Sequence, residues 1–290
     1  MALPKNGVIE APKIIPSAFG LLAVVDSQTA EEDRWIRGFS QEWETDLYGL
    51  YNVDDTNAEE TQIAGTGNVN YYDEIKPFFV EVQEDRSTFA FLGIDRLARI
   101  KRQCDAATQR AVEQELWDGA IRKAAGHTNR ALTSSSATIL NGGTAVSPKR
   151  ALALLEQGIA EASHAGEQGI IHATRDVIAL LSSNSQMLFH NKEKDHLQTM
   201  GGTPVVVGSG YTGNGPDGDA HAEASDTNKW IYATGTVRVF LGDVDIVNDS
   251  LSQAYDVAGN QNDMRVKAIR PAAAYFDTSI HLAVRVDLTA

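Results

Sequence analysis

Residues 94–125 form the longest stretch of helical pattern in the chain and predict one long helix, or one helix with a soft joint. No proline interrupts this stretch. Apolar side chains recur there at steps of three and four, the spacing of one helical face: Leu97, Ile100, Cys104, Ala107 and Ala111. Arg122 and Lys123 suit a last turn, and Gly126 is the predicted terminating glycine. Such a helix would be roughly 48 Å long, against a mean helix of about 11–12 residues. A rod that spans a whole domain favours a structural subunit over a compact enzyme.

The balance of charge narrows the possible partners. The net charge is −14, and residues 1–90 carry 17 acids and 6 bases, against 22 acids and 19 bases in the rest. An acidic surface repels phosphates, which argues against a reader of nucleic-acid sequence. Two interpretations stay open: the acids keep the protein in solution, or an acidic N-terminal segment lies on a less acidic surface of a neighbouring copy. Short apolar runs and a single cysteine predict a soluble intracellular protein without a disulfide.

Residues 1–45 are interpreted as an arm. Three prolines divide its first part into extended pieces. A short helix is predicted next, with an apolar face made of four side chains: Trp35, Ile36, Phe39 and Trp43. Two tryptophans on one short helix need a surface to cover, either on their own domain or on a neighbouring copy.

Residues 46–92 are poor in helix signals, and two strands are predicted at 78–82 and 88–92. The acidic pairs in this region, at 54–55 and at Glu59 and Glu60, have no apolar surroundings. They therefore indicate a solvated face rather than a pair of catalytic carboxylates.

The rest of the chain mixes helices and strands. One helix should begin with Ser147 as N-cap and Pro148 as first helical residue, and a second after Thr174. Strands are predicted at 169–173, 203–208, 230–233, 237–241, 244–247, 264–269 and 280–288. Pro271 is expected to interrupt the sheet after 264–269. The class is therefore α+β, with an α/β layer in the middle of the chain.

The glycine-rich stretch 208–213 matches the dinucleotide-binding fingerprint and follows a predicted strand. That mechanism requires a helix to begin at the third glycine, whereas Gly213 is followed by Asn-Gly-Pro-Asp-Gly-Asp. The stretch is therefore predicted to be a flexible surface loop. The histidines do not form a ligand set, and Cys104 falls on the apolar stripe of the long helix. No catalytic residue, cofactor or metal site is predicted.

Three stretches carry a resemblance to a known family: 111–119 on the long helix, 203–213, and 230–239. Together with the order of elements, they resemble the major capsid protein of tailed phages, which has the Hong Kong 97 fold. The likeness is strongest to phages of actinobacteria and extends from about Phe78 onward. The resemblance implies four parts: an N-terminal arm (1–45), an extended hairpin loop (46–92), a peripheral domain with the spine helix (93–145 and 255–290), and an axial domain (146–254).

The function implied by this resemblance is structural and not enzymatic. Copies of the chain would assemble as hexamers and pentamers into an icosahedral shell around double-stranded DNA, without sequence-specific contacts or a membrane. Scaffold, portal or decoration proteins would be partners, and the shell would assemble in the host cytoplasm. The expected inter-subunit contacts are Trp35, Phe39, Trp43, Glu59 and Glu60.

Two alternatives remain open at this point. One is an encapsulin-like compartment, which has the same fold but encloses protein. The other is a soluble α/β nucleotide-binding enzyme that uses the 208–213 loop.

Overall fold

The computed structural model describes residues 19–29, 39–43, 71–75, 77–85, 96–119, 131–162, 169–182, 188–191, 196–221, 223, 225–248 and 265–290. They form two large sheets, one small sheet and four α-helices, of which the first, α1, is only Leu21–Val24. No helix in this part of the chain is both long enough and apolar enough to cross a membrane.

The long helix, α2, spans Arg96–Asp118. Its 23 residues correspond to about 35 Å. The helix ends where Gly119 adopts a φ of +59°, a left-handed conformation that glycine tolerates at the residue after a helix. The prediction that the helix continues through residue 125 to Gly126 is therefore wrong at its C-terminal end. The sequence offered two glycines as terminators, and the first one stops the helix.

The first sheet contains β1 (Ser27–Gln28), β4 (Phe78–Asp85), β11 (Val237–Leu241), β12 (Asp245–Asn248) and β13 (Arg265–Phe276). Strand β13 is at its centre and pairs antiparallel with β4, β11 and β12, while β1 adds to β11 in parallel. One face of β4 is buried under α2, since Phe78 is 4% exposed whereas Phe79 is 61% exposed. Cys104 of α2 is packed there with Ile100 and Ala268, as predicted for a small core residue.

Proline 271 does not interrupt this sheet, contrary to the prediction. β13 continues through it to Phe276, and Pro271 stands opposite Phe79 of β4. Its carbonyl oxygen accepts a hydrogen bond from the Gly242 amide at 2.9 Å, in the turn between β11 and β12. A strand tolerates proline at a position where no N–H is required.

The second sheet has seven strands in the order β5-β14-β10-β6-β9-β8-β7. These are β5 (Thr138–Ile139), β6 (Ile170–Ala173), β7 (Leu188–Asn191), β8 (His196–Thr199), β9 (Pro204–Val207), β10 (Asn228–Thr234) and β14 (His281–Asp287). Helices α3 (Pro148–Ala162) and α4 (Arg175–Ser182) share an apolar core with it that includes Leu155, Val177, Ile231 and Val284. Both helices and the predicted strands β6, β9, β10 and β14 are confirmed, whereas β7 and β8 were not predicted.

The third sheet consists of β2 (Phe39–Trp43) and β3 (Tyr71–Ile75), paired antiparallel. The prediction of a helix that includes Phe39 and Trp43 is therefore wrong. Two residues four positions apart share a face in a helix and also in a strand, so their spacing could not separate the two structures.

Hydrogen bonding in the two large sheets crosses the predicted domain boundaries. Strands β11 and β12 belong to the predicted axial segment, but they pair with β13 of the peripheral segment. Conversely, β14 of the peripheral segment pairs with β10 of the axial segment. The division into arm, hairpin loop, peripheral domain and axial domain stays a prediction.

Candidate functional site

The three stretches that carry the family resemblance meet in space. Trp117 of α2 is fully buried between two tyrosines, with ring centroids 4.7 Å from Tyr211 and 5.0 Å from Tyr232. Tyr211 lies in the glycine-rich segment, which we define as residues 208–218, and Tyr232 lies on β10. Aromatic pairs at these separations stabilise by about 0.5–1.5 kcal/mol beyond the burial of their area. The stretches are therefore parts of one structural site, which holds α2 on the second sheet.

Glu113 is the central polar group of this site. Its side chain has no exposed surface, and its two carboxylate oxygens accept hydrogen bonds from separate segments. Oε1 accepts from the Leu21 amide at 3.0 Å, and Oε2 accepts from the Gly210 amide at 2.8 Å and the Ser209 hydroxyl at 3.1 Å. A buried carboxylate requires such partners, because desolvation of an unpaired charge is costly.

Glycine at position 210 is required by the close approach of two backbones. A Cβ atom added to Gly210 would lie 2.5 Å from the carbonyl oxygen of Arg110 and 2.9 Å from the amide nitrogen of Gln114. Both atoms belong to the backbone of α2, so neither can rotate away. The glycine content of this segment therefore serves backbone packing against the helix.

Beyond Tyr211, a chain of buried hydrogen bonds continues into the second sheet. Thr234 donates to the Gly235 carbonyl at 3.0 Å, so its oxygen accepts from His172 Nε2 at 2.9 Å. His172 Nδ1 is then the acceptor for the Tyr211 hydroxyl at 2.7 Å. Complete burial lowers the pKa of His172 to about 3, so the ring is neutral at physiological pH. The same burial raises the pKa of Tyr211.

Asp118, the last residue of α2, holds the middle of the glycine-rich segment. It accepts from the Thr212 hydroxyl at 3.2 Å, and burial raises the pKa of its carboxyl group. The Asn214 carbonyl next to it accepts from Trp117 Nε1 at 3.2 Å and from the Tyr232 hydroxyl at 2.9 Å. The segment is therefore attached to the helix at residues 209–210 and again at 212–214.

These contacts correct the prediction of a flexible surface loop at 208–213. Gly208, Gly210 and Tyr211 are buried, and the segment is packed between α2 and β10. After Gly213 the chain forms a short 3-10 turn, Pro216–Gly218, instead of the helix that a dinucleotide fingerprint requires. The Gly210 amide, which would have to face a phosphate, donates to Glu113. The physical basis for the nucleotide-binding alternative is therefore missing.

An N-terminal segment, residues 19–28, crosses the same site, and we call it the strap. The Phe19 carbonyl accepts from the Val207 amide at 2.7 Å, at β9 of the second sheet. Leu21 is fully buried in the core beside α2, and β1 pairs with Val239 and Phe240 of the first sheet. The strap therefore contacts both large sheets and the long helix.

The predicted contact residues are only partly described by the structure. Phe39 and Trp43 lie on β2, whereas Trp35, Glu59 and Glu60 lie outside the described residues. Their role in contacts between copies stays a prediction. Sequence reasoning missed Glu113 and His172. His172 is a polar residue in an apolar strand, which signals a buried polar group that needs a partner, whereas Glu113 begins the polar run Glu113-Gln-Glu115 and gives no such signal.

Groups of three or more histidine, cysteine, aspartate or glutamate side chains suited to a metal ion are absent from the described residues. Burial raises the pKa of the Cys104 thiol, which makes this cysteine a core residue rather than a reactive one.

Comparison by sequence gives no match to a known family or to a curated protein. Comparison of folds gives near-complete matches at 10–12% identity. The capsid of an empty GTA particle is 10% identical with a TM-score of 0.55, covering 99% of this chain and 95% of that one. A structure from Microbacterium phage Oxtober96 is 12% identical with a TM-score of 0.54, covering 99% and 96%. An encapsulin complex from Synechococcus elongatus is 10% identical with a TM-score of 0.55, covering 100% and 94%. The fold is therefore the predicted α+β fold of the Hong Kong 97 type.

Proposed function

We propose that this chain, which has the Hong Kong 97 fold, is the major capsid protein of a tailed phage. The observation that carries the proposal is the extent of the fold match, which covers 99% of this chain and 95% of a capsid subunit. The proposal rests on fold-level likeness, because what this chain shares with the capsid subunit is the arrangement of the whole chain.

In this proposal, copies of the chain form hexamers and pentamers that close into an icosahedral shell around double-stranded DNA. The net charge of −14 supports a container for DNA over a DNA-binding protein, because an acidic inner surface lets DNA slide during packaging. Scaffold, portal or decoration proteins are the proposed further partners. The shell would assemble in the host cytoplasm and become the capsid of the virion.

The four predicted parts of the chain acquire roles under this proposal. The arm (1–45) and the hairpin loop (46–92) would contact neighbouring copies, through Trp35, Phe39, Trp43, Glu59 and Glu60. Segments 93–145 and 255–290 would form the peripheral domain, and 146–254 would pack around the axes of hexamers and pentamers. Strand pairing crosses the boundary between the peripheral and axial domains. These two domains would therefore move as one body.

An encapsulin-like compartment is the second candidate, and it is supported by a fold match of its own. The encapsulin match has a TM-score of 0.55, equal to that of the GTA capsid. Both candidates predict a closed shell, so only the content of the shell distinguishes them.

Electron microscopy of the purified protein tests the proposal. We expect closed, uniform shells in negative stain, either from this chain alone or on co-expression with a scaffold protein encoded beside it. Particles isolated from infected cells should contain DNA that resists nuclease until the shell is opened. Shells filled with one cargo protein and no DNA would favour the compartment. Only monomers or small oligomers, under both expression conditions, would contradict both candidates.

A further inference from the structure

The strap depends on few hydrogen bonds of its own. Its helix α1 has only four residues, and Gly20 at its N-cap provides no side-chain acceptor for the free amides of the first turn. Its strand β1 has two residues. Glu113 supplies the missing acceptor from α2, because its Oε1 atom accepts from the Leu21 amide. A side chain 92 positions away thus replaces the local cap.

The two oxygens of Glu113 divide between two segments that are distant in sequence. Oε1 binds the strap, and Oε2 binds the glycine-rich segment through two donors, the Ser209 hydroxyl and the Gly210 amide. The glycine-rich segment has further attachments through Tyr211 and Thr212. The strap has one side-chain hydrogen bond to α2, the Glu113 bond, beside the Phe19 carbonyl, the pairing of β1 and the packing of its apolar side chains, Leu21, Leu22, Val24 and Val25.

We propose that Glu113 is a positioning residue for assembly. Its carboxylate fixes the strap on α2 and thereby fixes the point at which residues 1–18 of the arm join the subunit; in the proposed shell these residues contact a neighbouring copy. The inference rests on the proposed shell function, because the arm matters only where copies meet. Without the Glu113 contact the subunit keeps its fold, but the strap loosens at Leu21, and the part of the arm before the strap no longer starts from one place.

The variant Glu113→Gln separates the strap from the rest of the site. Glutamine has one acceptor oxygen and one NH2 group, so it can satisfy only one side. Its oxygen should face the two donors of the glycine-rich segment, which places its NH2 group against the Leu21 amide. We expect amide hydrogen exchange in a peptide covering residues 19–28 to become at least tenfold faster. Exchange in a peptide covering residues 208–218 should change less than twofold.

Ser209→Ala is the matched control, because it removes one donor on the Oε2 side and leaves the Leu21 contact in place. We expect no change in strap exchange for this variant. Unchanged strap exchange in Glu113→Gln would overturn the proposal. Equal acceleration in both peptides would also overturn it, since that result indicates general loosening of the fold. If Glu113→Gln does not fold, Glu113→Asp keeps the charge but withdraws the carboxylate, and the same two peptides are compared.

Assembly provides the second readout. Glu113→Gln subunits should form shells that are fewer and more variable in diameter than wild-type shells at the same concentration, whereas Ser209→Ala shells should be normal. Uniform Glu113→Gln shells with a fast-exchanging strap would overturn the link to assembly. If the wild-type chain forms no shells, the proposed function fails, whereas the exchange measurements still test the role of Glu113.

Discussion

At position 210, the backbone of the glycine-rich segment touches the backbone of α2, which leaves no room for a side chain. We expect Gly210→Ala to lower the free energy of unfolding by about 1–3 kcal/mol, the usual cost of overpacking a well-filled site. Urea unfolding followed by tryptophan fluorescence measures this effect.

Gly201→Ala is the matched control for that measurement. An added Cβ at Gly201 would approach the end of the Glu156 side chain at 2.7 Å, and that side chain can rotate away. Its unfolding free energy should stay within about 0.5 kcal/mol of the wild-type value. Equal effects of the two substitutions would contradict the close approach described for Gly210.

Because His172 is buried in its neutral form, the free energy of unfolding should fall as the pH is lowered. Its pKa in the folded protein is about 3, below the ordinary value of 6.5, so the unfolded chain binds the proton more readily. Its stabilising contribution is complete above pH 6.5 and is lost as the pH falls toward 3. Between pH 7 and pH 5 the loss should be about 2 kcal/mol. His281, whose pKa is also lowered by burial, adds to the same trend.

The difference between wild type and His172→Gln isolates this contribution. Glutamine can still accept from Tyr211 and donate to Thr234, but it does not titrate. The variant should therefore lose clearly less stability between pH 7 and pH 5, as measured by urea midpoints. An identical pH dependence in the two proteins would contradict the assignment to His172.

Individual residues show where sequence reasoning reaches its limit. The apolar stripe of α2 predicted Cys104 as a core residue because periodicity depends only on local spacing. Glu113 and His172 could not be assigned, because their partners lie 92–97 and 39–62 positions away in the chain. For the same reason the glycines at 208–213 predicted a flexible loop. A sequence shows that glycine permits a close approach but not which backbone approaches.

At the scale of elements, the strap belongs to the body of the subunit. Removal of residues 1–18 leaves Leu21 and β1 in place, so the truncated protein should unfold at a temperature close to that of the full chain. Removal of residues 1–28 takes away a fully buried leucine and the Glu113 contact, and should destabilise by about 2–5 kcal/mol. Differential scanning calorimetry of both truncations measures the difference. Equal midpoints for the two would show that the strap contributes nothing to the fold.

Element prediction succeeded where one pattern was sufficient. The helix from Pro148 has a capping residue, a proline at its first position and an apolar face, and the structure confirms it. The end of α2 was misplaced because Gly119 and Gly126 are both acceptable terminators. The strands β7 and β8 were missed because they are short and mix polar with apolar residues. Sheet order was not predictable, because β4 and β13 pair although residues 78–85 and 265–272 are far apart in the sequence.

At the scale of the whole molecule, the shell should be held together by non-covalent contacts alone. Some shells of this fold are linked by isopeptide bonds from a lysine near the tip of the hairpin loop. Between Lys13 and Lys101 this chain has only Lys76, directly before Pro77, and Lys76 lies outside the described residues. Mature particles boiled in detergent should run as a single band near 31.4 kDa. A ladder of multimers that disappears in Lys76→Ala particles would contradict this expectation.

The strap also sets a limit on the order in which the chain can fold. Ser27 pairs with Val239, and the Leu21 amide donates to Glu113. The strap therefore depends on partners that are synthesised much later. Contacts between such distant positions form slowly, because a long loop must close before they contribute. A nascent chain can therefore complete α2 while residues 19–28 are still free, and β1 can join its sheet only after β11 has left the ribosome. Residues 19–28 are therefore among the last of the described residues to reach their native position.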